Sequence, residues 1–289
     1  MQKGGKAKKV RPRQKQRRPG LEASMKPRPV AEFAGQEGSD KLKGKVALIT
    51  GGDSGIGKAV AILFAREGAD IAIAYLSETT DAKETSAIIE QDHGRRCLLI
   101  KGDLSNERNC VAAVKKTVRE YGRIDILVNN AAVQFERKKF TDIKSPELLR
   151  TFKTNIISFF WMTKAALPHM KKGSCIINSS SVTAYRGSPS LIDYASTKGA
   201  IVAFTRSLSA NLAGKGIRVN GVAPGPVWTP LIPSSFLPKK TSKHGSDAPL
   251  QRAGEPAEIA PSYLFLACED SQYMTGQFLH PNGGEIVNG

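Results

Sequence analysis

The sequence predicts a single doubly wound α/β domain with a seven-stranded parallel sheet, preceded by a basic tail. Two observations carry this. From residue 41 onward, short apolar runs alternate with segments of helical period. Such alternation marks strand–helix–strand units whose parallel strands are covered on both faces. The first run, Lys45-Val-Ala-Leu-Ile-Thr50, also breaks off in glycines just before a helical segment. The length of 289 residues suits one such domain plus an appendage.

Each element follows from its local pattern. Apolar runs at 45–50, 71–75, 97–101, 125–128, 174–178, 217–222 and 277–280 predict the strands. Helical periodicity at 56–67, 80–91, 107–120, 146–170, 194–212 and 256–267 predicts the helices between most of them. No internal repeat is visible. The longest break, 226–255, is rich in Pro, Ser and Lys and follows the sixth strand. A loop of this length in a compact domain is an active-site lid or a binding loop, and it leaves the sheet edge where ligands bind.

Composition excludes several classes. Cys97, Cys110, Cys175 and Cys268 form no C-x-x-C pair, and the four histidines show no H-x-x-x-H spacing, so no metal site is expected. No apolar run reaches the ~18–20 residues of a membrane span. The net charge is +17, yet residues 1–30 hold eleven Lys and Arg against one acid, Glu22. The basicity is thus largely a property of the tail, which makes nucleic acid an unfavoured partner for the body. Residues 1–40 lack hydrophobic periodicity and read as a tail, either disordered or ordered by lying on the body or a partner subunit. Weak polyanion binding is one reading of that tail, and a solubilising or subunit-wrapping arm is the favoured one. On either, removal of residues 1–20 is expected to leave turnover unchanged. The tail has no apolar core of a secretory signal, and a cytoplasmic location is expected.

The turn Thr50-Gly-Gly-Asp-Ser-Gly-Ile-Gly57 follows the first strand. Gly51, Gly55 and Gly57 allow a tight turn and close approach of a pyrophosphate to a helix amino end, with Asp53, Ser54 and Ile56 beside it. Tyr194 and Lys198 stand four apart in a helical segment, so both project from one face. A tyrosine hydroxyl titrates at about 10. An ammonium held close lowers that value, giving a phenol able to exchange a proton with a carbonyl or alcohol oxygen. Ser181 is placed to hydrogen-bond the same oxygen.

Further motifs fall in order: Asp103-Leu104 after the third strand, Asn129-Asn-Ala-Ala132 after the fourth, Asn155 in the next long helix, and Pro224-Gly225 with Thr229 after the sixth. With them the chain resembles the short-chain dehydrogenase/reductase family from about 42 to 289. The stretches 129–134, 222–233 and 280–284 are similar to one subgroup, the glucose and ribitol dehydrogenase homologues and related bacterial oxidoreductases. The resemblance implies a Rossmann fold and an NAD(P)-dependent oxidoreductase. Its reaction would move a hydride between nicotinamide and a secondary alcohol, aldehyde or ketone, sugars and polyols included. It implies Asn155, Ser181, Tyr194 and Lys198 as the catalytic set, with Lys198 also on the nicotinamide ribose and Asn155 holding a relay water. Asp103 and Leu104 would meet the adenine, and Asn130 and Ala131 would line the cleft. Pro224, Gly225, Val227 and Thr229 would lie near the nicotinamide. A homotetramer pairing the apolar segments 156–162 and 200–212 is also implied.

An acid at the end of the second strand ordinarily reads the adenosine ribose of NAD. Here that position is Tyr75, followed by Leu76 and Ser77. The usual Arg or Lys clamp is missing too, and Asp53 would sit badly near a 2′-phosphate if it points inward. NADP is favoured over NAD. The alternative function is a redox sensor or a polyanion-binding protein, which has no need of all four residues of the catalytic set.

Overall fold

The computed structural model describes residues 8–287. The seven runs form β1 (Val46–Thr50), β2 (Asp70–Tyr75), β3 (Cys97–Lys101), β4 (Ile126–Asn129), β5 (Cys175–Ser179), β6 (Arg218–Val222) and β7 (Phe278–Leu279). They pair in parallel in the order β3-β2-β1-β4-β5-β6-β7. The helices are α1 (Gly55–Arg66), α2 (Thr79–Gln91), α3 (Glu107–Tyr121), α4 (Ser145–Phe152), α5 (Ser158–Ala166), α6 (Thr183–Arg186), α7 (Ile192–Leu212), α8 (Leu231–Ser235), α9 (Pro238–Thr241) and α10 (Pro256–Ala267).

Alternate side chains of each strand feed opposite faces. Ala47 and Ile49 of β1 join Ile71 and Ile73 of β2 in one core layer, beneath α1 and α10. Leu48, Ala72 and Ala74 join the other, beneath α3 and α5. The strands carry no polar face because both faces are covered. The chain runs outward from β1 to β3, then returns to start β4 on the other side of β1. The carboxyl ends of β1 and β4 therefore diverge into a crevice.

Two segments depart from the sequence pattern. The single helix expected over 146–170 is broken: α4 ends at Phe152, a π-helical turn spans Lys153–Ile157, and α5 follows. The break centres on Asn155, whose side chain bonds across to the loop after β4 instead of facing solvent. The long segment 226–255 is not bare loop either. It contains α8 and α9, closes through a bridge between Val227 and Gly254, and buries Trp228 completely.

The tail is described from residue 8 onward. Residues 8–40 run over the body of their own chain, and residues 1–7 lie outside the described residues. Gln16 N–H donates to the Pro233 carbonyl at 2.9 Å, and Trp228 Nε1 donates to the Pro27 carbonyl at 2.9 Å. Met25 is buried beside Trp228, Ile232 and Phe236. Part of the basic charge is paired, Arg11 with Glu255 and Arg28 with Glu84. Nothing in the segment is periodic, and a few anchors set against the lid hold it.

An arm packed this way should protect its own amides. We expect the N–H groups of Gln16, Glu22 and Val30 to exchange with solvent at least ~10-fold more slowly than in a free peptide. Peptide-like exchange throughout 8–30 would show that the arm is loose in solution.

Candidate active site

The crevice holds a cleft of about 580 Å³, within the range of small-molecule sites. Its floor is the turn from β1 into α1. Gly51 and Gly55 adopt φ of +64° and +54°, a region that L side chains avoid. A Cβ on Gly57 would lie 1.9 Å from the Gly51 carbonyl oxygen, and one on Gly55 would lie 3.0 Å from Thr229. Glycine is thus required where α1 leaves the strand and where the lid approaches it. The Thr50 hydroxyl accepts the N–H groups of Asn130 and Ala131 at 2.8 and 3.1 Å, which joins this turn to the loop after β4.

Of the residues singled out from sequence, Gly51, Asp53, Ser54, Gly55 and Ile56 line the cleft on this floor. Tyr75, Asp103 and Leu104 line one end, and Asn130 and Ala131 a wall. Tyr194, Lys198, Pro224 and Thr229 line the remainder. Four others stand behind the surface. Gly57 backs the turn. Gly225 packs on the Asn282 backbone. Val227 lies in the core. Asn155 supports cleft residues from behind, and Ser181, 8% exposed, follows the lining residue Ser180.

Tyr194 and Lys198 lie on one face of α7. Lys198 is 2% exposed; its Nζ donates to the Ser179 carbonyl at 2.7 Å and lies 5.3 Å from the Tyr194 ring centroid. Burial pushes this ammonium down to about 7. Burial pushes the Tyr194 phenol up to about 12, opposed by a hydrogen bond from Ser181. The i, i+4 spacing leads one to expect a lowered phenol; the structure has the opposite sign. Lys198 sits over the ring with its proton directed at a carbonyl, so desolvation outweighs any charge attraction. Ser181 Oγ accepts from Thr183 N–H at 3.1 Å and from Thr183 Oγ1 at 3.0 Å. Its own hydrogen is left to face the phenol oxygen.

Asn155 is fully buried. Its Oδ1 accepts from Val133 N–H at 2.8 Å, and its Nδ2 donates to Val133 O at 2.9 Å and Thr197 Oγ1 at 3.2 Å. The side chain is a strut between the wall after β4 and the helix bearing Tyr194.

At the other end, the Asp103 carboxylate loses solvent but is held below its usual value by Arg150 and Ser105. Asp53 is 6% exposed; burial, with Glu78 nearby, pushes its carboxyl up to about 7. Glu78 also lines the cleft, three residues past the end of β2. The sequence reading stops at Tyr75, Leu76 and Ser77, one residue short of it. Reasoning missed Arg18, Pro19 and Gly20 as well, which enter the cleft lining from the arm. No periodicity announces them, and only their contacts with the lid bring them there.

A family model described as enoyl-(acyl carrier protein) reductase matches residues 51–285. The chain belongs to the short-chain dehydrogenase/reductase family. It is an oxidoreductase of that family. Among its relatives, NADPH-dependent aldehyde reductase 1, chloroplastic, of Arabidopsis thaliana is 53% identical over 93% of this chain and 96% of its own. Glucose and ribitol dehydrogenase of Daucus carota is 50% identical over 96% and 97%. A short-chain dehydrogenase from Burkholderia cenocepacia, solved in complex with NADP, superposes with a TM-score of 0.79 at 31% identity, covering 84% of this chain and 98% of that one. A 3-ketoacyl-(acyl-carrier-protein) reductase from Brucella melitensis, complexed with NADH, superposes at 0.76 with 31% identity and covers 84% and 98%. Among the described residues, no helix is long and apolar enough to cross a membrane.

Proposed function

We propose that the protein reduces the carbonyl of an aldehyde or ketone, sugars included, with a nicotinamide dinucleotide, and oxidises the corresponding alcohol in reverse. The observation that carries this is the pairing on one face of α7: Tyr194 and Lys198 both line the cleft, the Lys198 Nζ 5.3 Å from the Tyr194 ring centroid, in the same cleft as the glycine turn. The glycine turn, with Gly51 and Gly55 at positive φ and both lining the cleft, fits a pyrophosphate laid beside the amino end of α1. When bound, the dinucleotide supplies or accepts the hydride.

The residues of the chain do the rest. Tyr194, protonated at neutral pH, gives its proton to the carbonyl oxygen as negative charge develops there, while Ser181 donates a hydrogen bond to the same oxygen. Lys198, poised to gain or lose a proton near neutrality, returns the proton to the phenol side of the cleft. Asn155 keeps α7 at a fixed distance from the wall after β4. For the reverse reaction the phenol must act as a base, so alcohol oxidation rises with pH while carbonyl reduction does not.

NADP is the favoured cofactor, supported by the two relatives whose names carry it. The acids Asp53 and Glu78 at the ribose end oppose a 2′-phosphate, and protonation of Asp53 relieves that opposition. We further infer a homotetramer. Phe160 on α5 is 53% exposed, and its ring lies 4.4 Å from that of Phe204 on α7, an apolar surface suited to a second copy.

Tyr194→Phe should keep cofactor binding and lower carbonyl reduction by roughly 10²–10⁴-fold, the range for loss of a general acid. Retention of more than about a tenth of the activity removes Tyr194 from that role. The ratio of kcat/KM for NADPH to that for NADH should fall as pH rises through about 7, where Asp53 ionises, and Asp53→Asn should flatten it. A ratio independent of pH from about 6 to 8.5 would separate Asp53 from cofactor choice. Light scattering should return four copies of the 31.1 kDa chain; a monomer at micromolar concentration overturns the assembly.

A further inference from the structure

The amino-terminal arm does more than cover the body. Its residues 16–24 form a strap that crosses the mouth of the cleft and is fixed at both ends. On the lid side, Gln16 N–H holds the Pro233 carbonyl at 2.9 Å, and Gly20 packs so tightly that a Cβ there would lie 2.5 Å from the Pro230 oxygen. On the floor side, Glu22 is 1% exposed. Its carboxylate accepts the Gly55 N–H at 2.7 Å and the Lys58 ammonium at 2.9 Å. Its backbone N–H donates to Asp81 at 2.6 Å. A buried carboxylate with this many donors is a fixed point.

Between the two anchors stands Arg18. Its guanidinium lies 4.5 Å from the centroid of the Phe135 ring on the opposite wall, so the side chain spans the opening. It lines the same cleft as Gly51, Ser54 and Gly55. Among the described residues it has no hydrogen bond or ion pair. Burial and the neighbouring Arg137 charge both disfavour its own charge, and Glu147 offsets them in part. A cation that lines the same cleft as the glycine turn, set over an aromatic ring and lacking an acid of its own, is suited to bind an anion.

We propose that Arg18 is a cofactor-binding residue supplied by the arm, its guanidinium closing over the pyrophosphate of a dinucleotide that lies on the glycine turn. The position selects the pyrophosphate over the 2′-phosphate. The anchors of the strap are Gly55 and Pro230, at mid-cleft where Thr229 meets Gly55, and not the ribose end at Tyr75 and Glu78. The inference rests on the reading of the cleft as a nicotinamide dinucleotide site.

The test is direct binding, followed by fluorescence titration of NADPH and NADH with the full chain, Arg18→Gln and Arg18→Lys. Arg17→Gln, at an exposed neighbour, is the control for general charge. Arg18→Gln should raise Kd for both dinucleotides by the same factor, about tenfold for one lost charged hydrogen bond. Arg18→Lys should recover part of the loss, and Arg17→Gln should change little. ADP should be weakened by Arg18→Gln as a competitor, and adenosine should not. Melting temperatures should match the wild type, since Arg18 buries no core group. An unchanged Kd in Arg18→Gln overturns the proposal while leaving the cofactor reading intact, as does a rise only in KM for an anionic substrate. A loss confined to NADPH moves the contact to the 2′-phosphate and also overturns it, as does an equal loss in Arg17→Gln. If the wild-type chain binds neither dinucleotide, the functional reading fails first and the proposal fails with it.

Discussion

The backbone of Gly57 lies against the carbonyl of Gly51 so closely that no side chain fits between them. That contact sets the direction in which α1 leaves β1, and much of the site follows from it. The amino end of α1 is aimed along the crevice. The loop after β4 docks on the same turn through Thr50, Asn130 and Ala131. The lid closes down on Gly55 through Thr229. The Glu22 carboxylate meets the helix at its first residue. Strand, helix, wall, lid and arm thus converge within one turn of chain, which is why the glycines there have no substitute.

The proton-bearing end of the cleft works by a different principle. Lys198 and Tyr194 are both shifted toward neutrality, the amine downward and the phenol upward. Desolvation disfavours charge on either, so near pH 7 the phenol is neutral and the lysine is divided between its charged and neutral forms. Such a pair stores no ion-pair energy that the reaction would have to break. A negative charge appearing on a carbonyl oxygen would meet oriented O–H groups with little water to compete, where hydrogen bonds are strong.

Much of this was legible in the sequence, and the residues explain where legibility stopped. The strands were readable because β1, β2, β4 and β5 are buried on both faces and so appear as unbroken apolar runs. The glycine turn and the Tyr194–Lys198 spacing were readable because backbone geometry alone dictates them. The break at Lys153–Ile157 was not, because its cause is the partner that Asn155 finds 22 residues away at Val133. The direction of the Tyr194 shift was hidden for a similar reason: spacing places the lysine on the right face but not its proton on the Ser179 carbonyl. Glu78 was missed by one residue beyond the strand end read from sequence, Tyr75 to Ser77. The arm was opaque because its order depends on isolated anchors, Glu22, Met25 and Gln16, each set against a part of the chain remote in sequence.

That remoteness bears on how the molecule is made. The Trp228–Pro27 bond joins residues 201 apart, and the Lys8–Ser246 bond joins residues 238 apart. The arm is made before its docking surface, which follows 201 residues later at Trp228 and 238 residues later at Ser246. Until then the arm has nothing to lie on, and the roof of the cleft cannot close. A segment that must wait in this way is exposed to aggregation if it is apolar. This one is rich in lysine and arginine and poor in hydrophobic residues, so it stays solvated until its partners arrive. The charge that reads in the sequence as a sign of polyanion binding is equally the property that lets an early-made strap remain open over a late-made site.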